Sequence, residues 1–267
     1  MAVILKFGKR SFFLFLKSQD MKPFLKAGIL VCLLPLLLAL TPPPLVVGLP
    51  DTQLFPQYWN LSGKADGYLP RILRRFASDT GIHLELKAQP IRRYYVEFKE
   101  GRLDFLAPSN PAWAEGSSPT PIVFSNPFMK SRAGFIGTRP ELQPVQIKLV
   151  TTLAGYTISF LNDPKGPFKD VKVNYVNDVN SAMKVLASGR TDLIYLHYDA
   201  AREWMRLNTE GRTQAQYFFH EKYSEEFDYC LATIRHPKII ESFNLWLREN
   251  PKVLDEVKAS MLTSKYP

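Results

Sequence analysis

With 267 residues the chain has room for one large domain or two small ones, each able to bury a core. Its composition, 46% hydrophobic and 22% charged, is ordinary for a globular protein, and the formal charge is +9. Residues 1–41 hold six of the 34 basic residues and one of the 25 acidic ones, so the remainder carries only +4 and nucleic-acid binding loses its main support.

In chain order, Lys22 and Lys26 precede Gly28–Leu40, an uncharged apolar run that ends at Thr41 and three prolines. A basic start, a short apolar stretch and a helix-breaking tail describe a secretory signal. The run falls short of the about 20 residues that span a bilayer. The expectation is a signal peptide over residues 1–41, with Met21 offering a second start, and a retained N-terminal anchor as the alternative. Cys32 lies in this segment behind the bulky Val31, a poor lipidation context, and its removal leaves Cys230 with no disulfide partner. Cys230 sits in an apolar strand-like run and reads as a buried, inert thiol.

Leu45–Pro50 (LVVGLP) reads as a buried strand, followed by a loop with breakers at Pro56, Gly63 and Gly67. Leu69, Ile72, Leu73, Phe76 and Ala77 then recur at helical spacing up to Gly81. His83–Pro90 alternates as a strand. Ile91, Tyr95 and Phe98 mark a second helix closed by Gly101, and Leu103–Ser109 is a third strand. This β-α-β-α-β order predicts a parallel sheet with covering helices. A Pro- and Ser-rich loop (109–121) leads to a second stretch of the same style. It has strands expected at Tyr156–Leu161, Val171–Val176 and Asp192–Tyr198, and a helix after Asp178 carrying Val179, Ala182, Met183 and Leu186. The end is helical, with Ile240, Phe243 and Leu247 on one face and Leu254, Val257 and Met261 beyond the Asn250–Pro251 break.

One phrase occurs twice. Gly101-Arg102-Leu103-Asp104 returns 88 positions later as Gly189-Arg190-Thr191-Asp192, each time between a helix and an apolar strand. Matching helix-to-strand joints imply two α/β lobes on one plan, with a cleft where strand ends meet.

Read in order, these phrases resemble the extracytoplasmic solute-binding proteins of the amino-acid-binding type, bacterial family 3, with the type II periplasmic-binding fold. The likeness is carried by the opening strand with its aromatic loop (45–59), the Gly67-Tyr68 helix start, "QPIRRYYVEFKEGRLDFLAPS" (89–109), "IVFSNPFM" (122–129) and "VNSAMKVLASGRTDLIYLHYD" (179–199). The resemblance implies a two-lobed α/β fold with a ligand cleft and two hinge crossovers. Lobe 1 would be residues 42–138 plus 225–267, and lobe 2 residues 139–224, hinged near Thr138 and Glu225. It also implies a monomer in the periplasm that binds a small polar solute and serves a membrane ABC permease or a membrane sensor.

Two departures bear on the ligand. The family's Arg after the third strand is missing from 109–118, and its second-lobe acid is replaced by His197, with Asp199 two residues on. An ordinary α-amino acid therefore fits poorly. The resemblance places Phe55, Tyr58 and Trp59 at the cleft, with Asp51 at the start of the same loop; the alternative is a loop packed on lobe 1. Ser109 and Asn110 end the third strand and offer hydrogen bonds. Arg93 stands in the first turn of its helix, where a cation opposes the macrodipole unless an anion is present. It is either a carboxylate-binding group or a surface arginine. His197 ends the matching lobe-2 strand, as a ligand contact or a structural histidine. The expectation is that Arg93 and His197 face each other and favour a ligand with a carboxylate.

Metal, paired-Cys, nucleophile-elbow and P-loop patterns are missing from the sequence, so no cofactor, metal or catalytic residue is expected. Glu225–Glu226 reads as a solvated hinge. The expected function is a binding protein rather than an enzyme. The alternatives are a sensing subunit of a membrane signalling protein and, from another class, a dehydratase-like enzyme on the same fold.

Overall fold

The computed structural model describes residues 2–7, 10–15, 43–61, 63–114, 120–208 and 216–263. The chain divides into two compact units, 1–43 and 44–267. In the first, β1 (Ala2–Phe7) and β2 (Arg10–Phe15) pair as an antiparallel hairpin. The apolar run 28–40, on which the signal-peptide expectation rests, lies outside the described residues. No helix among the described residues is long and apolar enough to cross a membrane.

The second unit is built on one sheet with two parallel trios. β3 (Leu45–Pro50) runs parallel to both β6 (Leu84–Gln89) and β7 (Phe105–Ser109). β10 (Leu149–Leu153) does the same between β11 (Lys172–Val176) and β12 (Leu193–His197). Two long antiparallel strands join the trios, β9 (Met129–Gly137) and the 16-residue β13 (Phe218–Thr233). The strand order is β11-β10-β12-β9-β13-β7-β3-β6, with the short β8 (Val123–Phe124) also on β13. A second hairpin, β4 (Trp59–Leu61) with β5 (Lys64–Asp66), caps the loop after β3.

The helices form where the apolar spacing demands. α1 (Tyr68–Thr80) buries Leu69, Ile72, Leu73 and Phe76 completely, and the Phe76 ring meets Phe243 edge-on at 4.9 Å. Each such side chain contributes about 1.5–3 kcal/mol by leaving water. Phe243 belongs to α6 (Pro237–Glu249), which is followed by α7 (Pro251–Thr263). α2 (Ile91–Lys99) and the short α3 (Pro111–Ala114) complete the first half. In the second half, α4 (Val179–Ala187) starts on Asp178, whose carboxylate accepts from the Ser181 N–H at 2.7 Å, and buries Val179, Ala182, Met183 and Leu186. α5 (Tyr198–Asn208) follows β12 without a break.

The repeated phrase is one joint made twice. Gly101 and Gly189 both adopt positive φ, 74° and 67°, the left-handed turn that leaves a helix. Asp104 Oδ2 then accepts from the Val46 N–H at 2.8 Å, at the start of β3. Asp192 Oδ2 accepts from the Lys148 and Leu149 N–H groups at 2.8 and 2.9 Å, at the start of β10.

Two expectations need correction. The strand expected at Tyr156–Leu161 is instead β10, and Ser159–Leu161 forms a 3₁₀ turn. Thr151 and Thr152 read as polar, yet both are fully buried, and Thr152 Oγ1 donates to the Tyr195 carbonyl at 2.8 Å. Satisfying the hydroxyl lets a β-branched side chain serve a central strand. Glu225 is not a free solvated hinge residue: its carboxylate accepts from Ser159 Oγ at 2.7 Å and from the Tyr195 hydroxyl.

Candidate functional site

The carboxyl ends of parallel strands are where open α/β sheets hold ligands. Here the ends of β7, β10 and β12 and the loop after β3 come together, and they carry rings. Tyr58, from the β3 loop, is buried with its phenol near that of Tyr156, which follows β10. The Tyr156 ring meets His197, the last residue of β12, edge-on at 5.6 Å. His197 Nδ1 lies 2.7 Å from Ser131 Oγ on β9, and Nε2 lies 3.2 Å from the Tyr229 hydroxyl on β13. Phe227, on the same face of β13 as Tyr229, stands 6.0 Å from His197. Trp113 of α3 closes the group at 5.5 Å from Phe227 and 5.8 Å from Tyr229.

The cluster carries no formal charge. Burial pushes the Tyr58 and Tyr229 phenols well above their ordinary range and Tyr156 to about 12. Burial also holds His197 down to about 4, so its imidazole is neutral, one nitrogen donating and the other accepting. The Gln57 amide sits beside the cluster. With its nitrogen turned to the Leu54 and Phe55 carbonyls at 2.8 and 3.3 Å, its oxygen takes the position 3.5 Å from Ser131 Oγ and 3.4 Å from Asp199 Oδ2.

The residues singled out in the sequence separate into groups. Tyr58 and His197 meet in the cluster through Tyr156. Asn110 holds its scaffold: Nδ2 donates to the Asp228 carbonyl at 2.8 Å and Oδ1 accepts from the Ala112 N–H at 2.9 Å, which fixes α3 and so Trp113. Ser109 is buried at the end of β7, paired in register with Cys230. Cys230 is itself buried, and burial pushes its thiol up to about 11. The Phe55 and Trp59 rings meet at a 39° tilt, 4.8 Å apart, and pack against Met261 of α7. Phe55 also borders an open groove of ≈ 800 Å³ between the β3 loop, α5 and α7.

Arg93 and His197 make no contact with each other. The Arg93 side chain is 68% exposed and pairs along its own helix with Glu97 at 2.9 Å, a carboxylate that Lys87 also holds at 3.0 Å. The local carboxylate thus supplies the anion that its helix position asked for. Asp51 is exposed, and its N–H donates to the Gln89 carbonyl at 3.0 Å.

Sequence reasoning missed Trp113, Ser131, Tyr156, Phe227 and Tyr229. The alternation of Phe227 and Tyr229 on one strand was a usable signal, and so was Tyr156 directly after the turn at Gly155.

No protein-family model and no curated protein matches the chain. Solved structures do. The GluR0 ligand-binding core in complex with L-glutamate is 18% identical with a TM-score of 0.66, covering 83% of this chain and 99% of its own. An ancestral arginine-binding protein bound to glutamine is 18% identical at 0.65, covering 84% and 100%. The arginine-, lysine-, histidine-binding protein ArtJ from Geobacillus stearothermophilus is 15% identical at 0.64, covering 84% and 97%. Two parallel trios joined by two crossing strands, matched over nearly the whole of these structures, give this chain the two-lobed type II periplasmic-binding fold.

Proposed function

We propose that this protein is an extracytoplasmic solute-binding protein that captures a small polar ligand between its lobes and hands it to a membrane ABC permease. The observation that carries the reading is the convergence of Tyr58, Tyr156 and His197 from the strand ends of both halves, beside the two strands that join them. Lobe 1 is then residues 42–138 plus 225–267 and lobe 2 residues 139–224. The hinge falls where β9 ends at Gly137 and where the β13 register slips between Phe219 and Ser224. Such domains close on ligand by rotating about a few strand or loop residues. Opening would separate Tyr58 from Tyr156.

A dehydratase-like enzyme on this fold needs a general acid with a raised pKa in the cleft. Asp66, Asp79, Glu97 and Glu226 are each held below the ordinary carboxyl range by neighbouring donors or cations, so none of these four is that acid. A sensing role in a membrane signalling protein would use the same closure and differs only in the partner.

The test is small-angle scattering with and without a solute found by a thermal-shift screen. Ligand binding to the folded state alone adds about 2.7 kcal/mol at 100 times its dissociation constant. The expected result is a smaller radius of gyration with ligand. An unchanged radius at saturation would sink the closing receptor.

A further inference from the structure

We propose that the groove of ≈ 800 Å³ between the β3 loop, α5 and α7 is a second binding site, which takes a small monocarboxylate with an apolar body. None of Tyr58, Tyr156 and His197 is among the residues that line it, so it is separate from the cluster at the strand ends.

Apolar and charged side chains share the lining. Phe55 of the β3 loop, Phe128 just before β9 and Met261 of α7 are otherwise buried, and the half-buried Met129 and Leu254 lie alongside. The volume lies within the range of small-molecule sites, about 300–1,000 Å³. Such a lining holds an apolar body by the area it takes out of water.

The charges select the head group. Four cations and three acids line the groove, a surplus of one positive charge that suits a singly charged anion. Most of the acidic charge is already answered. Arg206 holds Glu203 through two nitrogens, at 2.8 and 2.5 Å. Asp199 stands in the first turn of α5, where the helix end favours an acid, and Arg202 is 3.7 Å away. Arg202 is itself occupied, lying over the Phe219 ring at 4.8 Å. The two lysines are freer. The carboxylate that pairs with Lys130 is Asp228, at a loose 3.9 Å, and its side chain is 75% exposed. Lys258 is exposed, and among the described residues no carboxylate lies within ion-pair distance of it. Against these two cations stands Asp255. A carboxylate would therefore find donors here, whereas an ammonium head would meet the surplus of its own sign.

The experiment is calorimetry on the whole chain with octanoate, its uncharged analogue octanamide, the cation octylammonium, and hexanoate as a shorter carboxylate. Octanoate should bind at least about fivefold more tightly than octanamide or octylammonium. It should exceed hexanoate by about fivefold as well, because two further methylenes leave water. The double variant Lys130→Gln/Lys258→Gln changes two exposed side chains and spares the packing beneath them. It should weaken octanoate about fivefold and leave octanamide within about twofold. Tighter binding of octylammonium, no gain from hexanoate to octanoate, octanoate affinity indifferent to the two lysines, or no binding of octanoate would each overturn the proposal. The closing receptor stands or falls separately, on its own solute and its radius of gyration.

Discussion

Ser131 Oγ lies 2.7 Å from His197 Nδ1, tying one of the two strands that join the parallel trios to the end of β12. The histidine is 5% exposed, and burial holds it at about 4 against an ordinary value of about 6.5. Below pH 6.5 the unfolded chain takes up a proton that the folded chain refuses, so stability falls as pH drops from about 6.5 and levels off near 4. The full effect is about 3 kcal/mol. His220 is also lowered by burial and adds to the same window, so the informative quantity is a difference. Urea unfolding at pH 7.5, 5.5 and 4 should show wild type losing about 3 kcal/mol more than His197→Gln. Parallel losses would mean that His197 is protonated in the fold.

Asp104 and Asp192 cap β3 and β10, the first strands of the two parallel trios, and removing either leaves strand-start N–H groups without their acceptor. Asp192→Ala should cost about 1–3 kcal/mol. Asp104→Ala should cost more, because Asp104 also holds Arg235 at 2.7 Å and His236 at 2.8 Å. Denaturant midpoints of the two variants check both the sizes and the order. An Asp104 variant less damaging than its Asp192 counterpart would contradict the contact pattern.

That pair also shows what the sequence could and could not reveal. Gly-x-x-Asp is local punctuation, set by a left-handed turn and one carboxylate, so its recurrence exposed the two-lobe plan directly. The α1 and α4 faces were legible for the same reason, since helical spacing is local. His197 was reachable as a strand-end residue, and Tyr58 as an aromatic of the loop after the first strand. Ser131 and Tyr229 were not, because they meet His197 only once β9 and β13 cross between lobes, and no local pattern encodes that register. Arg93 misled because its helix position signalled an anion without saying that Glu97, one turn along, would be it.

The Glu97 cluster follows a different pH logic. Its side chain is 5% exposed, and the Lys87 and Arg93 bonds hold the carboxyl at about 2. A lowered carboxyl stabilises the fold above its unfolded value near 4.3 and loses that contribution as pH falls toward 2. Glu97→Gln should therefore be less stable than wild type at pH 7, with the difference shrinking between pH 4.3 and 2. Arg93→Ala, whose charge is mostly solvated, should alter stability and solute affinity little. A large loss of affinity in Arg93→Ala would return that residue to the binding site.

Gly134 sits at the most crowded point of the crossing strands, opposite Leu196 of β12 and Ser224 of β13, where the β13 register slips. A Cβ there would fall 2.5 Å from the Tyr198 hydroxyl, 2.7 Å from Ser224 Cβ and 2.8 Å from the Tyr223 carbonyl. The Tyr198 hydroxyl is the end of a side chain and can move aside. The Tyr223 carbonyl is backbone inside the slipped segment and can retreat only by shifting the strand. Gly134→Ala should thus cost about 1–3 kcal/mol, the usual cost of overpacking a well-filled interior. Adding Tyr198→Phe should recover only part of it, because the backbone clash remains. Thermal melting of the single and double variants decides the matter. If Gly134→Ala melts with wild type, β13 yields freely at this point, and the crossing strands lose their claim to be a fixed part of the hinge.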